Sequence, residues 1–135
     1  MSRIAVDASI AVNWVLDDEL DPRGAAALDQ LRRDGAVVPQ HWHYEVRNVL
    51  LIAERRRRIP QDGIEERLDL LRALPILTDQ EARLPEALEL ARTHRLSFYD
   101  ALYLELATRR GAPLATLDRA LDRAAVAEGV DIANA

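Results

Sequence analysis

Asp7, Glu45, Asp100 and Asp118 are carboxylates far apart in the sequence, and each stands at the edge of an ordered element rather than inside a polar run. Asp7 closes the apolar stretch Ile4, Ala5, Val6, and Asp118 follows Leu114, Ala115, Thr116, Leu117. Glu45 and Asp100 fall in the first turns of two apolar helical patterns. Like charges brought together by a fold resist joint ionisation. A divalent cation relieves that repulsion, and hard carboxylate oxygens suit Mg²⁺ or Mn²⁺. Ions held this way neutralise charge on phosphate esters and activate water, so the chemistry to expect is attack on a phosphodiester.

Each acid also has an ordinary structural use. Asp7 can cap the helix that follows it, with Ser9 sharing the task, and Asp118 can cap the helix from Arg119. Asp122, one turn on, is an alternative fourth acid. Ser97 and Asp100 fit a capping box. Yet Phe98 to Ala107 is apolar almost all round, and Asp100 and Glu105 point about 140° apart at 100° per residue. A carboxylate on a buried helix needs a partner, and the chain has no lysine to supply one. Glu45 has Asn48 at i+3 on its own face, beside an apolar stripe of Val46, Val49, Leu50 and Ala53. Asn48, like Ser9, is placed to hold metal ligands in orientation. His41 and His43, two residues apart, are poorly spaced for zinc on one helix, and H-E-x-x-H is absent. His94 and the run Arg55–Arg58 read as helix C-terminal cations.

The elements that must position these acids alternate in type. Strands are expected at Ile4–Val6, Ala36–Val38, Ile76–Leu77, Pro113–Leu117 and Val130–Ile132. Helices are expected at Ser9–Leu16, Arg23–Arg33, His43–Arg57, Pro60 to about Ala73, Ala82–His94, Ser97–Arg110 and Arg119–Ala127. Gly35 and Gly111 end two of them, and the acidic run from Asp17 to Asp21 reads as a solvated loop. Such alternation predicts an α/β fold with a parallel sheet covered on both faces. Ligand sites in such sheets lie beyond the strands' carboxyl ends, which is where Asp7 and Asp118 stand.

At 135 residues the chain suits a single domain, 1–135, with a real core. No cysteine is present, which excludes disulfides and thiolate chemistry and suits a reducing, cytoplasmic setting. No apolar run approaches the roughly 20 residues of a membrane span, and no signal peptide is expected. The net charge of −5 weighs against nucleic acid, but only moderately. A cluster of metal-binding acids depresses it, and all 18 basic residues are arginines, which fork onto phosphate.

Together these segments resemble the PIN-domain family, and within it the VapC-like toxins of toxin–antitoxin modules. The likeness rests on Val6-Asp7-Ala8-Ser9, Tyr44-Glu45-Val46-Arg47-Asn48-Val49-Leu50, Ser97-Phe98-Tyr99-Asp100-Ala101-Leu102-Tyr103 and Thr116-Leu117-Asp118-Arg119-Ala120-Leu121, in that order. The resemblance implies a three-layer α/β/α fold with a short, mainly parallel sheet. It also implies a Mg²⁺- or Mn²⁺-dependent endoribonuclease leaving 5′-phosphate and 3′-hydroxyl ends. The metal-site roles pass to Asp7, Glu45, Asp100 and Asp118, with Asp7 and Asp100 as direct ligands. The implied partners are RNA, a cognate antitoxin and a second copy of the chain. Apolar helix surface for that copy is expected around Leu68–Leu74 or Leu84–Leu90, and an antitoxin helix is expected near Ile10, Trp14 and Leu28. Phosphoaspartate enzymes fit poorly without a lysine, and a Rossmann module fits poorly without a glycine-rich turn after the first strand. The non-enzyme alternative is a PIN-fold interaction module whose acids are silent.

Overall fold

The computed structural model describes residues 3–16 and 21–133. Of the acidic loop expected at 17–21, residues 17–20 lie outside that set. The elements run β1 (Ile4–Val6), α1 (Ala8–Val15), α2 (Pro22–Asp34), β2 (Ala36–Pro39), α3 (His41–Arg55), α4 (Gly63–Arg72), β3 (Ile76–Asp79), α5 (Leu84–His94), α6 (Phe98–Arg110), β4 (Leu114–Ala115) and α7 (Arg119–Ala127). The strands form one sheet in the order β3-β2-β1-β4, with every pairing parallel. This is the three-layer α/β architecture expected.

Parallel neighbours need crossovers, and right-handed crossovers decide which face each helix covers. The chain steps from β1 to β2 to β3 in one direction through α1–α4, then returns past β1 to β4 through α5 and α6. The two helix sets therefore lie on opposite faces. Packing agrees: α2 lies across β1 and β4, while α6 lies across β1, β2 and β4 with α5 and α7 against it. Burial on both sides explains the apolar strands, in which Ile4, Ala5, Val37 and Val38 have no exposed surface. It also explains α6, buried without a break from Ala101 to Ala107.

Local chemistry sets the ends of the helices. Asp7, Asp21, Ser97 and Asp118 cap α1, α2, α6 and α7 by accepting backbone N–H bonds. Gly35 and Gly111 close α2 and α6 at φ of +80° and +61°, conformations a side chain would oppose.

Four expected elements differ. β3 extends to Asp79 because the whole of Ala36–Pro39 offers it partners. β4 is only two residues long, and Val130–Ile132 contributes a single parallel bridge from Ile132 to Leu114. The helix expected from Pro60 begins at Gly63, after a turn in which the Gly63 N–H donates to the Pro60 carbonyl. No helix among the described residues is long and apolar enough to cross a membrane.

Candidate active site

The chain reverses its direction of travel across the sheet between β1 and β4, and Asp7 and Asp118 follow those two strands at their carboxyl ends. Asp7 leaves β1 directly into α1 and is 4% exposed. Its Oδ1 accepts from the Ser9 hydroxyl at 2.6 Å and from the Ile10 N–H at 3.2 Å, and its Oδ2 accepts from the Thr116 hydroxyl. Burial nonetheless raises its pKa to about 6, against the pull of those three donors and with a further upward push from Asp100. Ser9 Oγ also accepts from the Leu117 N–H at 3.1 Å, so one serine ties the β1 exit to the β4 exit.

Asp118 caps α7, accepting from the Leu121 N–H at 3.0 Å, and its own N–H donates to Thr116 Oγ1 at 3.0 Å. Asp100 sits in the first turn of α6, held by the Ser97 cap, with its N–H 3.1 Å from Ser97 Oγ. Its pKa is raised, first by burial and then by Asp118 and Glu45, while Ser97 and His41 pull it down. Asp100 therefore feels both neighbours, and Asp7 feels Asp100: the four carboxylates share one field. Asp122 exerts its charge on Arg23 instead, which favours Asp118 over Asp122 as the fourth acid.

Glu45 behaves differently from the simple expectation of mutual repulsion. Burial pushes its pKa up, but His41 and Tyr103 outweigh that and hold it below the usual range. The Tyr103 hydroxyl donates to Glu45 Oε1 at 2.6 Å, and burial together with this bond raises the phenol far above its ordinary range, so it stays a donor. His41 Nε2 stands 3.1 Å from the same oxygen in a poorly aligned contact, closer to an ion pair than to a formed hydrogen bond. Asn48 lines the cleft beside Glu45 but makes no hydrogen bond to it, so only Ser9 of the two expected orienting residues touches an acid.

An all-oxygen donor set, short of positive charge and with two members pushed toward protonation, fits a hard divalent cation. Among the described residues no three of these side chains stand close enough to grip an ion as they are. Asp7 is turned to Ser9 and Thr116, Glu45 to Tyr103, and Asp118 to its helix cap. These bonds leave each carboxylate with acceptor sites to spare.

Residues 4–127 match the PIN domain. The chain belongs to the PIN-domain family. Over 129 residues it is 32% identical to Ribonuclease VapC3 of Pyrobaculum aerophilum, covering 88% of this chain and 92% of that protein. The crystal structure of PAE2754, also from Pyrobaculum aerophilum, superposes with a TM-score of 0.70 at 26% identity, covering 91% of this chain and 79% of the other. Mycobacterium tuberculosis VapC20, described as a sarcin–ricin loop cleaving toxin, shares the fold with a TM-score of 0.61 at 14% identity, covering 90% and 94%.

Three residues of this PIN domain's site escaped sequence reasoning. His41 was weighed only as a zinc ligand with His43, although its i,i+4 spacing to Glu45 was there to read. His43 instead lies 2.8 Å from Thr78 Oγ1. Tyr103 lies one turn past Asp100, and Thr116 reaches Asp7 from 109 residues away, a separation that no local pattern discloses. The surface expected near Ile10 also needs correction: Ile10 has no exposed surface, and Trp14 packs on the core with its Nε1 donating to the Gly24 carbonyl at 2.8 Å.

Proposed function

We propose that the protein is a Mg²⁺- or Mn²⁺-dependent endoribonuclease and the toxin of a toxin–antitoxin pair. The observation that carries this reading is the shared field of Asp7, Glu45, Asp100 and Asp118 at the sheet's switch point. Its likeness to Ribonuclease VapC3 along most of both chains supports it. Asp7 and Asp100 would hold the ion directly, and Glu45 and Asp118 would hold its waters or a second ion. A bound divalent ion supplies charge neutralisation at the phosphate and a water of lowered pKa.

The chain's own residues do the rest. Ser9 and Thr116 fix the Asp7 carboxylate and keep it ionisable despite burial. Tyr103 holds Glu45 ionised. The Ser97 cap orients the first turn of α6 and with it Asp100.

In this reading the protein works in the cytoplasm beside a cognate antitoxin and pairs with a second copy of itself. The leucines Leu84 and Leu88, one turn apart on α5 and 55% and 42% exposed, support a self-association surface there. The test is purified protein incubated with total cellular RNA, with Mg²⁺, with Mn²⁺ and with EDTA, beside Asp7→Asn. Metal-dependent cleavage lost in the variant is the expected result. Full cleavage in EDTA, or in the variant, would rule out this site. The dispersal of the carboxylates onto separate partners favours one second reading, an interaction module without activity. RNA left intact under every metal condition would select it.

A further inference from the structure

The chain has two tryptophans, three tyrosines and one phenylalanine. Trp42 and Tyr103 are buried, Trp14 packs on the core and Phe98 is half-buried. Tyr44 and Tyr99 are 62% and 61% exposed. These two rings arise from different elements on opposite sides of the sheet, α3 and α6, yet they line one cleft of about 290 Å³ with His41, Glu45 and Asn48. Leaving large rings in water forgoes the burial that stabilises the rest of the fold. The only two such rings in the protein flank its acidic site.

We infer that Tyr44 and Tyr99 form a stacking platform that seats an unpaired nucleobase beside Glu45. The inference rests on the ribonuclease reading above and gives it a substrate class, single-stranded RNA. Charge decides between this and a backbone-tracking groove. Tyr44 also borders a neighbouring cleft of about 500 Å³ with Gln40, His41 and Leu102, and among the described residues no arginine lines either cleft. Phosphates entering there meet Glu45 or Asp79, and the guanidiniums of Arg109 and Arg110 are already bonded to Asp79. A base has a π-face whatever the local charge, so stacking is the attraction this surface can offer. The rings are also braced. Gln40 Nε2 donates to the Tyr44 hydroxyl at 3.2 Å. The His41 ring lies 5.7 Å from Tyr99 and 4.7 Å from Tyr103, so three rings lead from the surface to the hydroxyl that holds Glu45. Asn48, with no hydrogen bond of its own among the described residues, presents an amide to the same cleft and can meet a base edge.

The test uses a six-nucleotide single-stranded RNA, bound in Mg²⁺ by the full chain carrying Asp7→Asn, and read by fluorescence anisotropy. Wild-type cleavage of the same RNA is measured in parallel. Tyr44→Ala and Tyr99→Ala should each weaken binding about 5- to 150-fold, while Tyr44→Phe and Tyr99→Phe keep most of the affinity. Both positions are exposed, and thermal melting checks that the alanine variants remain folded. An RNA with an abasic position at the cleaved step should bind weakly to the parent and lose little more on Tyr44→Ala, because both changes remove one contact. The affinity should also fall only shallowly with salt. If wild-type protein cleaves the RNA but the alanine variants bind it as the parent does, the platform is wrong and the ribonuclease stands. Additive losses from the abasic site and the tyrosine would also overturn it. So would alanine variants that lose self-association while RNA affinity is unchanged, since the rings would then be a protein contact. Wild-type protein that neither binds nor cleaves RNA overturns both readings.

Discussion

Asp7 carries a cost in the metal-free protein that can be measured. Its pKa is raised from 3.8 to about 6, so between those values the folded state holds a proton that the unfolded chain has released. Stability contributed by this group therefore falls as pH rises through that window, and above it the ionised, buried carboxylate costs about 3 kcal/mol. Asp7→Asn removes the titration. Its amide oxygen can take the place of Oδ1 toward Ser9 and Ile10, and its NH₂ can donate to Thr116 once that hydroxyl turns. In EDTA the variant should melt at nearly the wild-type temperature near pH 4 and progressively above it toward pH 7. A melting difference that does not change with pH would show that Asp7 is not strained. Asp7 was readable because it ends a strand in an alternating α/β pattern. Thr116 and Tyr103 were not, because their partnerships cross between layers and have no local period; His41 stands at i,i+4 from Glu45 and was within reach of a helical pattern.

At the scale of elements, α6 repays a closer look at its second acid. Glu105 is 2% exposed and Asp79, at the end of β3, is 4% exposed. Arg109 bridges them, with Nε 2.7 Å from Glu105 Oε2 and Nη2 2.9 Å from Asp79 Oδ1, and Arg110 Nε reaches Asp79 Oδ2 at 2.7 Å. Hydrogen bonds from Arg109 come first among the causes that hold the Asp79 carboxyl well below its usual range. This knot fastens α6 to the edge strand and leaves the opposite side of the helix to Asp100. Arg109→Ala leaves Glu105 buried without its cation and should destabilise the fold by about 3–5 kcal/mol in urea unfolding. Adding Glu105→Leu should recover much of that loss; no recovery would mean that Arg109 acts through packing instead. The sequence showed α6 as buried and showed that its two acids diverge, but not that one of them is a clasp. It also overstated the strands around β4, where Thr116 gives its hydroxyl to Asp7 and only Leu114 and Ala115 pair with β1.

For the whole molecule, the metal should act as a folding ligand as well as a chemical one. Ligands that bind only the native state stabilise it by about 2.7 kcal/mol at a hundred times their Kd. Mg²⁺ or Mn²⁺ should therefore raise the melting temperature of the wild type by several degrees, and of Asp100→Asn by much less. Equal shifts in both would place the ion elsewhere. Self-association is testable at the same scale. Light scattering at micromolar concentration should give a dimer, and Leu84→Asp with Leu88→Asp should give a monomer without loss of fold. A wild-type monomer would remove α5 as the contact. The parallel sheet and its two-sided covering were legible from alternation, whereas the order β3-β2-β1-β4 was not, because no local pattern says which strands pair. The exposed face of α5 was legible only as one of two leucine-rich stretches: in the other Leu70 alone is exposed while Leu68 and Leu71 are core, whereas Leu84 and Leu88 are exposed together one turn apart.

The bond from Thr116 to Asp7 spans 109 residues, and on the same side the Ala5 and Asp7 N–H groups donate to the Pro113 and Ala115 carbonyls. On the ribosome, Asp7 is made first and its companions last. Chains lengthen at about 5–20 residues per second, so several seconds separate the two events. Through that interval β1 lacks its β4 partner, Asp7 lacks Thr116 and the proposed site lacks Asp118. On the ribonuclease reading, a chain arrested before residue 113 should therefore cleave no RNA. On the toxin reading, strand order would shield the cell during synthesis and leave the need for another safeguard to the released protein.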